Sequence, residues 1–109
     1  MDVLEQLTKA VVDFRNERDW QQFHNAKDLA IALSIEASEL TELFLWKTPE
    51  QADPEKIKDE LADVLTFALL FAHEQKIDIK EIVLRKLEKS GNKYPVDKAK
   101  GNAKKYNEL

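Results

Sequence analysis

The residues that can start helices constrain the fold of this chain more than any other sequence feature. Short polar side chains able to cap a helix N-terminus precede four segments: Asp2, Asn25, Asp53 and Asp78. Glu5 and Glu81 follow the first and last caps by three residues, and Pro54 takes a first helical position. These signals predict four helices, over about residues 2–18, 26–47, 54–75 and 78–91. Pro49 should stop the second helix and Gly91 should end the fourth.

The composition favours an all-α fold. Two Gly and three Pro in 109 residues leave little material for the turns of a β-sandwich. The last segment, NKYPVDKAKGNAKKYNEL, contains Pro95 and Gly101 and has no helical period, so residues 92–109 should form an irregular basic tail. We therefore predict a single domain over residues 1–109, built as a four-helix bundle protomer with this tail.

Several classes of protein are excluded by the residues that the chain contains. The absence of Cys excludes disulfides, thiolate metal sites and Cys nucleophiles. The apolar stretch VLTFALLFA is too short to span a membrane, and the first residues, MDVLEQLTKA, do not form a signal peptide. We expect a cytoplasmic protein without a membrane partner.

The charge is divided along the chain. Residues 1–75 carry 7 basic and 16 acidic side chains, whereas residues 76–109 carry 10 basic and 5 acidic ones. An acidic body argues against a duplex DNA binder, because contacts to phosphates dominate that affinity. The basic tail is compatible with nucleic-acid binding or with lysines that hold a phosphate chain.

Two acidic pairs interrupt apolar helix faces. On the second helix, the three-four spacing places on one face Leu29, Ala32, Glu36, Glu39, Leu43 and Trp46. On the third helix, Glu60 and Asp63 are flanked by Leu61, Val64 and Phe67. Surface acids or structural ion pairs are the ordinary interpretation of such residues. Here, however, Lys and Arg are absent between residues 27 and 47 and between residues 58 and 76, so local ion pairs cannot neutralise them.

Two such pairs on antiparallel helices would form one cluster of four carboxylates. Oxygen ligands of this kind suit a hard cation, Mg²⁺ or also Mn²⁺, and the candidate ligands are Glu36, Glu39, Glu60 and Asp63. A di-iron bundle is the competing interpretation, but it requires Glu-x-x-His on two helices. The histidines are His24 and His73, and neither has that spacing.

The acidic motif resembles a known family. Glu36-x-x-Glu39, a gap of 20 residues and Glu60-x-x-Asp63 are similar to the metal motif of the MazG-like, all-α nucleoside triphosphate pyrophosphohydrolases. The stretches ERDWQQFHNAKDLAIALSIEASELTELFLWK, DELADVL and KYPVDKAKGNAKKY extend the resemblance to the short dCTP pyrophosphatase branch. It implies hydrolysis of a nucleoside triphosphate between the α and β phosphates, with Mg²⁺ and the four acids as catalytic metal ligands. It also implies a homo-oligomer, most often a tetramer built as a dimer of dimers.

The resemblance also implies substrate contacts. The stretch that lines the nucleoside pocket in the family matches Trp20, Gln21, Gln22, Phe23 and His24, and a further contact matches Trp46. Aromatic faces can stack a base, while His and Gln offer donors and acceptors to its edge. An aromatic anchor in the core is the alternative for Trp20 and Phe23.

Three positions depart from the family pattern. Val11 stands where a His is expected, Phe67 replaces a Tyr of the pocket, and Ser90 replaces an Asn for which Asn92 can substitute. These changes leave the base preference open between dCTP, dATP and modified cytosine nucleotides. In the basic region, Lys86 and Lys93 are the candidates to offset triphosphate charge.

Other function classes remain open from sequence. A helical interaction or regulatory module could use an acidic patch to dock a basic partner, although docking acids belong on an outer face. A nucleic-acid binder could use the KAKGNAKKY tail. We favour the house-cleaning dNTP pyrophosphohydrolase, with no nucleic-acid partner.

Overall fold

The computed structural model describes residues 1–109 and contains helices without strands. The α-helices are α1 (Val3–Glu17), α2 (Ala26–Glu42), α3 (Pro54–Glu74), α4 (Ile79–Lys93) and α5 (Val96–Ala99), and 3-10 turns cover Trp20–Phe23, Pro49–Gln51 and Tyr106–Glu108. The predicted all-α class is confirmed. None of the helices combines the length and the apolar character that crossing a membrane requires.

The four predicted caps form as the sequence indicates. Each cap oxygen accepts a backbone N–H of the first helical turn, in the pairs Asp2 with Glu5 at 2.8 Å, Asn25 with Asp28 at 2.9 Å, Asp53 with Glu55 at 3.0 Å and Asp78 with Glu81 at 3.0 Å. Such bonds satisfy N–H groups that have no partner inside the helix. The helix starts are therefore set by local chemistry.

The second helix ends earlier than predicted. It stops at Glu42, and the next residues form turns whose N–H groups bond three residues back, as in Leu45 to Glu42 at 3.2 Å. Trp46 has a φ of 63°, in the left-handed region that stops helical propagation. Trp46 therefore does not continue the α2 face that carries Glu36 and Glu39, and this part of the prediction was wrong.

The fourth helix continues past its predicted end. Gly91 lies inside α4, which runs to Lys93 and is followed by Tyr94 and Pro95. A residue that precedes proline is disfavoured in the α region, so Pro95 supplies the stop that the sequence analysis assigned to Gly91. The predicted irregular tail contains one short helix, α5, and a final 3-10 turn.

The chain divides into two compact units, residues 1–76 and residues 77–109. In the first unit α2 packs along α3, and α1 also contacts α3. His24, just before α2, lies near Phe67 of α3, whereas Glu36 lies near Glu60, so the two helices run antiparallel. The buried hydrophobic residues are Leu29, Ala52, Leu69, Leu70 and Ala72. This small core fixes the helix pair that carries the acids.

The second unit is held in part by aromatic contacts. The ring of Tyr94, at the end of α4, meets the ring of Tyr106 edge-on at 6.1 Å. The Lys93 ammonium lies 4.9 Å from the centre of the Tyr106 ring, within the range of a cation–π interaction. The tail therefore contacts the end of α4 through Tyr106.

Candidate metal centre and adjacent cavity

The two acidic helices bring their carboxylates together. Glu36 of α2 and Glu60 and Asp63 of α3 each offer an oxygen, and these oxygens all lie within 4.8 Å of one another. The 60–63 spacing places both α3 acids on the side that faces Glu36. Glu39 lies outside this tight group of three, although its charge acts on it, as described below.

Two oxygens of the cluster are buried and have no hydrogen-bond partner. They are Oε2 of Glu36 and Oε2 of Glu60. Leaving a buried acceptor unpaired costs about 1–3 kcal/mol, and more when the group is charged. The fold therefore carries an electrostatic cost at this point, which a bound cation would remove.

The carboxylates also perturb one another. Burial, followed by the neighbouring carboxylates of Glu39 and Asp63, raises the pKa of Glu36 from 4.5 to about 7. Burial and the charge of Glu39 likewise raise the pKa of Glu60. Glu39 thus acts on both acids, and all four predicted ligands belong to one electrostatic unit.

The donor set fits a hard divalent cation. The ion pairs of the chain join Lys9 to Asp13, Arg15 to Glu74, Arg18 to Glu17 and Lys58 to Glu55, so none involves a cluster acid. The absence of local cationic partners, predicted from the sequence, is confirmed. Carboxylate oxygens without imidazole or thiolate are typical ligands of Mg²⁺ and Mn²⁺.

A cavity of about 190 Å³ opens beside the cluster. Its walls include Val11, Phe14, Trp20, His24, Asp63 and Phe67. Asp63 belongs both to this wall and to the acidic cluster. A molecule in the cavity would therefore lie directly next to the cation site.

The cavity collects three of the predicted substrate contacts, namely Trp20, His24 and Phe67. Gln21 and Gln22 do not line it and instead donate hydrogen bonds to Asp19, each at 3.0 Å. Phe23 is 63% exposed. Gln21 and Gln22 follow Trp20 in a 3-10 turn, whose three residues per turn direct them to sides other than that of Trp20.

The remaining predicted contacts lie elsewhere. Trp46 is fully exposed in the turn after α2 and does not line the cavity. Lys86, Asn92 and Lys93 are exposed residues of α4, in the second unit. Their roles as substrate contacts stay predictions.

Arg15 was missed by the sequence analysis. It is a buried residue of α1, only 4% exposed, and it lines the same cavity. Its Nη1 donates to Glu74 Oε1 at 2.5 Å, and its Nε donates to Asn16 Oδ1 at 3.1 Å. The available signal was its position four residues after Val11, one helical turn along the face that lines the cavity.

His24 contains a third buried polar atom without a hydrogen-bond partner. Its Nδ1 is buried and makes no hydrogen bond. Burial lowers the pKa of His24, and the positive charge of Arg15 lowers it as well. The imidazole therefore favours its neutral form, with one nitrogen as donor and the other as acceptor.

A family model described as the MazG-like family matches residues 31–109, which include all four acids. The chain belongs to the MazG-like family. The predicted resemblance is thereby confirmed from residue 31, within α2, to residue 109.

Individual relatives agree with the family assignment. This MazG-like chain is 35% identical to dCTP pyrophosphatase 1 of Bos taurus over 114 residues, covering 97% of this chain and 68% of the relative. It is also 35% identical to dCTP pyrophosphatase 1 of Homo sapiens, covering 97% and 67%. A crystal structure of a pyrophosphatase from Archaeoglobus fulgidus superposes with a TM-score of 0.81 at 34% identity, covering 87% of this chain and 94% of that one.

Proposed function

We propose that this MazG-like chain is a house-cleaning pyrophosphohydrolase that cleaves dCTP or another dNTP between the α and β phosphates. The products are a nucleoside monophosphate and pyrophosphate. The names of the bovine and human relatives support the reaction class. The observation that carries the proposal is the pair of unpartnered buried oxygens of Glu36 and Glu60, next to a cavity that shares Asp63 with their cluster.

Glu36, Glu39, Glu60 and Asp63 would hold Mg²⁺, or alternatively Mn²⁺. When bound, the cation would neutralise the clustered carboxylates and offset negative charge on the phosphate oxygens. The two unpaired oxygens favour this assignment, because their burial is costly only while no cation is present.

The cavity would hold the base of the substrate. Its volume of about 190 Å³ is below the ~300–1,000 Å³ of sites for drug-sized ligands, so it suits a base rather than a whole triphosphate. Trp20 and Phe67 offer aromatic faces for stacking. Because Asp63 joins the cavity to the cluster, a base in the cavity would direct the phosphates toward the acids.

Glu39 is our candidate for the general base. It lies outside the tight group of three acids, so its carboxylate is less committed to the cation. It would take a proton from the attacking water while the phosphoanhydride bond between the α and β phosphates breaks. The water oxygen becomes part of one product. The other product leaves with the electron pair of the broken phosphoanhydride bond.

We also propose further contacts to the substrate, from residues outside the cavity wall. These are Gln21, Gln22, Phe23, Trp46, Lys86, Asn92 and Lys93. Lys86 and Lys93 carry the positive charge that a triphosphate requires, while Trp46 offers a fully exposed aromatic face. A neighbouring subunit could supply any of them.

We propose a homo-oligomer, a tetramer assembled as a dimer of dimers. Large apolar side chains remain exposed at i,i+4 spacing on both helices that carry the acids: Ile31 and Ile35 on α2, and Leu61 and Leu65 on α3. Their exposed fractions range from 46% to 53%. Exposed apolar surface of this kind is typical of subunit interfaces. Light scattering coupled to size exclusion measures the mass, and a monomer at micromolar concentration would contradict the proposal.

The activity is tested by incubating the purified protein with each dNTP and NTP, with Mg²⁺ and with chelator, and by identifying the products. Glu39→Gln should abolish turnover, while Glu42→Gln, at the exposed last residue of α2, is the matched control. We expect monophosphate and pyrophosphate only with metal. If no nucleotide is hydrolysed, the cluster is instead a docking or cation-storage surface of a non-catalytic module.

A further inference from the structure

Arg15 is a charged residue in the wall of an otherwise mostly apolar cavity. It is 4% exposed, and its Nη1 and Nε atoms are already engaged by Glu74 and Asn16. These bonds hold the guanidinium plane in place and leave the Nη2 amino group for a ligand. A buried donor fixed in this way is pre-organised for recognition, because little side-chain entropy remains to be lost on binding.

The charge balance of Arg15 indicates which part of a nucleotide it would contact. The Glu74 carboxylate compensates the guanidinium charge, so the pair presents directed N–H groups with little net charge. A triphosphate requires uncompensated positive charge, whereas the edge of a neutral base requires directed donors. The aromatic neighbours Phe14 and Trp20 also suit a base.

We propose that Arg15, held by Glu74, is a specificity-determining residue that donates a hydrogen bond to an acceptor on the edge of the substrate base. This inference rests on the proposed function of the cavity as the base site. It concerns residues of α1 and α3 outside the acidic cluster.

The donor set selects a class of base. Arg offers hydrogen-bond donors and no acceptor. The free Nη2 meets only acceptors on a base edge where a carbonyl oxygen lies beside an unprotonated ring nitrogen, as in cytosine and guanine. Adenine places an amino donor beside its ring nitrogens, and thymine and uracil place an N–H beside their carbonyls. The imidazole of His24 lies in the same cavity wall and is another polar group near the base.

Steady-state kinetics with dCTP, dGTP, dATP and dTTP test the assignment. For Arg15→Lys, which keeps the charge and loses the planar donors, we expect kcat/KM for the preferred base to fall about 10–100-fold, with the change in KM rather than kcat. The preference over dATP and dTTP should narrow by the same factor. Lys9→Gln, which breaks an exposed ion pair of the same helix, should leave kcat/KM unchanged for all four dNTPs.

A purely structural role of the ion pair is distinguished by exchanging the charges. Arg15→Glu combined with Glu74→Arg keeps a pair between α1 and α3 but puts an acceptor in the cavity wall. We expect its melting temperature to exceed that of Arg15→Glu alone, with the base preference lost. If the ratios of kcat/KM between the four dNTPs stay at wild-type values in the exchanged variant or in Arg15→Lys, the inference is overturned. The ion pair would then only join the two helices.

Binding of nucleosides to the metal-free protein separates this inference from the proposed activity. Calorimetry with deoxycytidine, deoxyguanosine and deoxyadenosine requires neither phosphate nor turnover. We expect deoxycytidine or deoxyguanosine to bind most tightly and Arg15→Lys to weaken that binding about tenfold or more. Equal or tighter binding of deoxyadenosine would refute the role of Arg15 even if the protein hydrolyses nucleotides. Conversely, base-selective binding without hydrolysis would refute only the proposed activity.

Discussion

Glu36 on α2 and Glu60 on α3 each bury one carboxylate oxygen that has no hydrogen-bond partner, and both oxygens belong to the same acidic cluster. Two unpaired acceptors of like charge destabilise the metal-free fold. The same arrangement is what a cation site requires. Stability and function are therefore opposed at these two residues, which makes the site accessible to simple stability measurements.

Neutralising Glu36 should stabilise the metal-free protein. Glu36→Gln removes the charge at a partly buried position, and we expect the free energy of unfolding to rise by about 1–3 kcal/mol. Chemical denaturation in the presence of chelator measures the change. Glu42→Gln, at an exposed position of the same helix, is the control and should change stability by less than about 0.5 kcal/mol. A loss of stability in Glu36→Gln would indicate that the carboxylate has a partner in solution.

The metal-free protein should become less stable as the pH rises from about 4.5 to 7. The pKa of Glu36 is raised from 4.5 to about 7 in the folded state, so in this interval the folded chain holds a proton that the unfolded chain has released. Rising pH therefore favours unfolding, and below about pH 4.5 the effect vanishes because both states are protonated. Melting curves of wild type and Glu36→Gln in chelator isolate this contribution as the difference between the two profiles. Parallel profiles would mean that Glu36 titrates normally.

Divalent cations should reverse that loss of stability. A ligand that binds only the folded state stabilises it by about 2.7 kcal/mol at one hundred times its dissociation constant. We expect Mg²⁺ and Mn²⁺ to raise the melting temperature at pH 8 in wild type, with chelator restoring the lower value. Glu60→Gln should lose most of this response because it removes one of the clustered ligands. Asp59→Asn, which changes the neighbouring exposed acid, should keep it.

The local features of the fold and the acidic cluster were predictable from sequence for a physical reason. A cap such as Asp53 depends on residues within one helical turn, and the spacing of Glu60 and Asp63 fixes their common face. The absence of Lys and Arg from residues 28–46 and 59–75 then indicated that Glu36 would lack a local cationic partner. Each of these inferences needs only neighbours along the chain.

The features that sequence did not predict depend on distant residues or on backbone turns. The Arg15–Glu74 pair joins positions 59 residues apart. The sequence around either residue does not show whether its charge is paired or solvated. α2 ends at Glu42 in a series of turns, and Trp46 beyond it has a left-handed backbone, a conformation that a Trp rarely adopts. Helical periodicity therefore carried the α2 face about one turn too far.

The small core should be sensitive to a single truncation. Leu29 of α2 is 1% exposed, so Leu29→Ala should lower the free energy of unfolding by about 2–5 kcal/mol through lost burial and the cavity left behind. Leu7→Ala, at a residue of α1 that is 49% exposed, is the matched control and should cost less than about 1 kcal/mol. Equal losses in the two variants would show that Leu7 is buried in the assembled protein, and light scattering of both variants would then identify the interface.

Trp46 provides a test of substrate contact that is separable from folding. Because its side chain is fully exposed, Trp46→Ala should leave the melting temperature of the metal-free protein within about 1 °C of wild type. If Trp46 contacts the substrate, KM should rise about 5–20-fold, as expected for loss of one base–aromatic stack, while Trp46→Phe should retain most of the affinity. Steady-state kinetics on the preferred dNTP, with melting curves of the same preparations, measure both effects. An unchanged KM in Trp46→Ala would remove Trp46 from the substrate site, leaving Trp20 and Phe67 as the aromatic walls that hold the base.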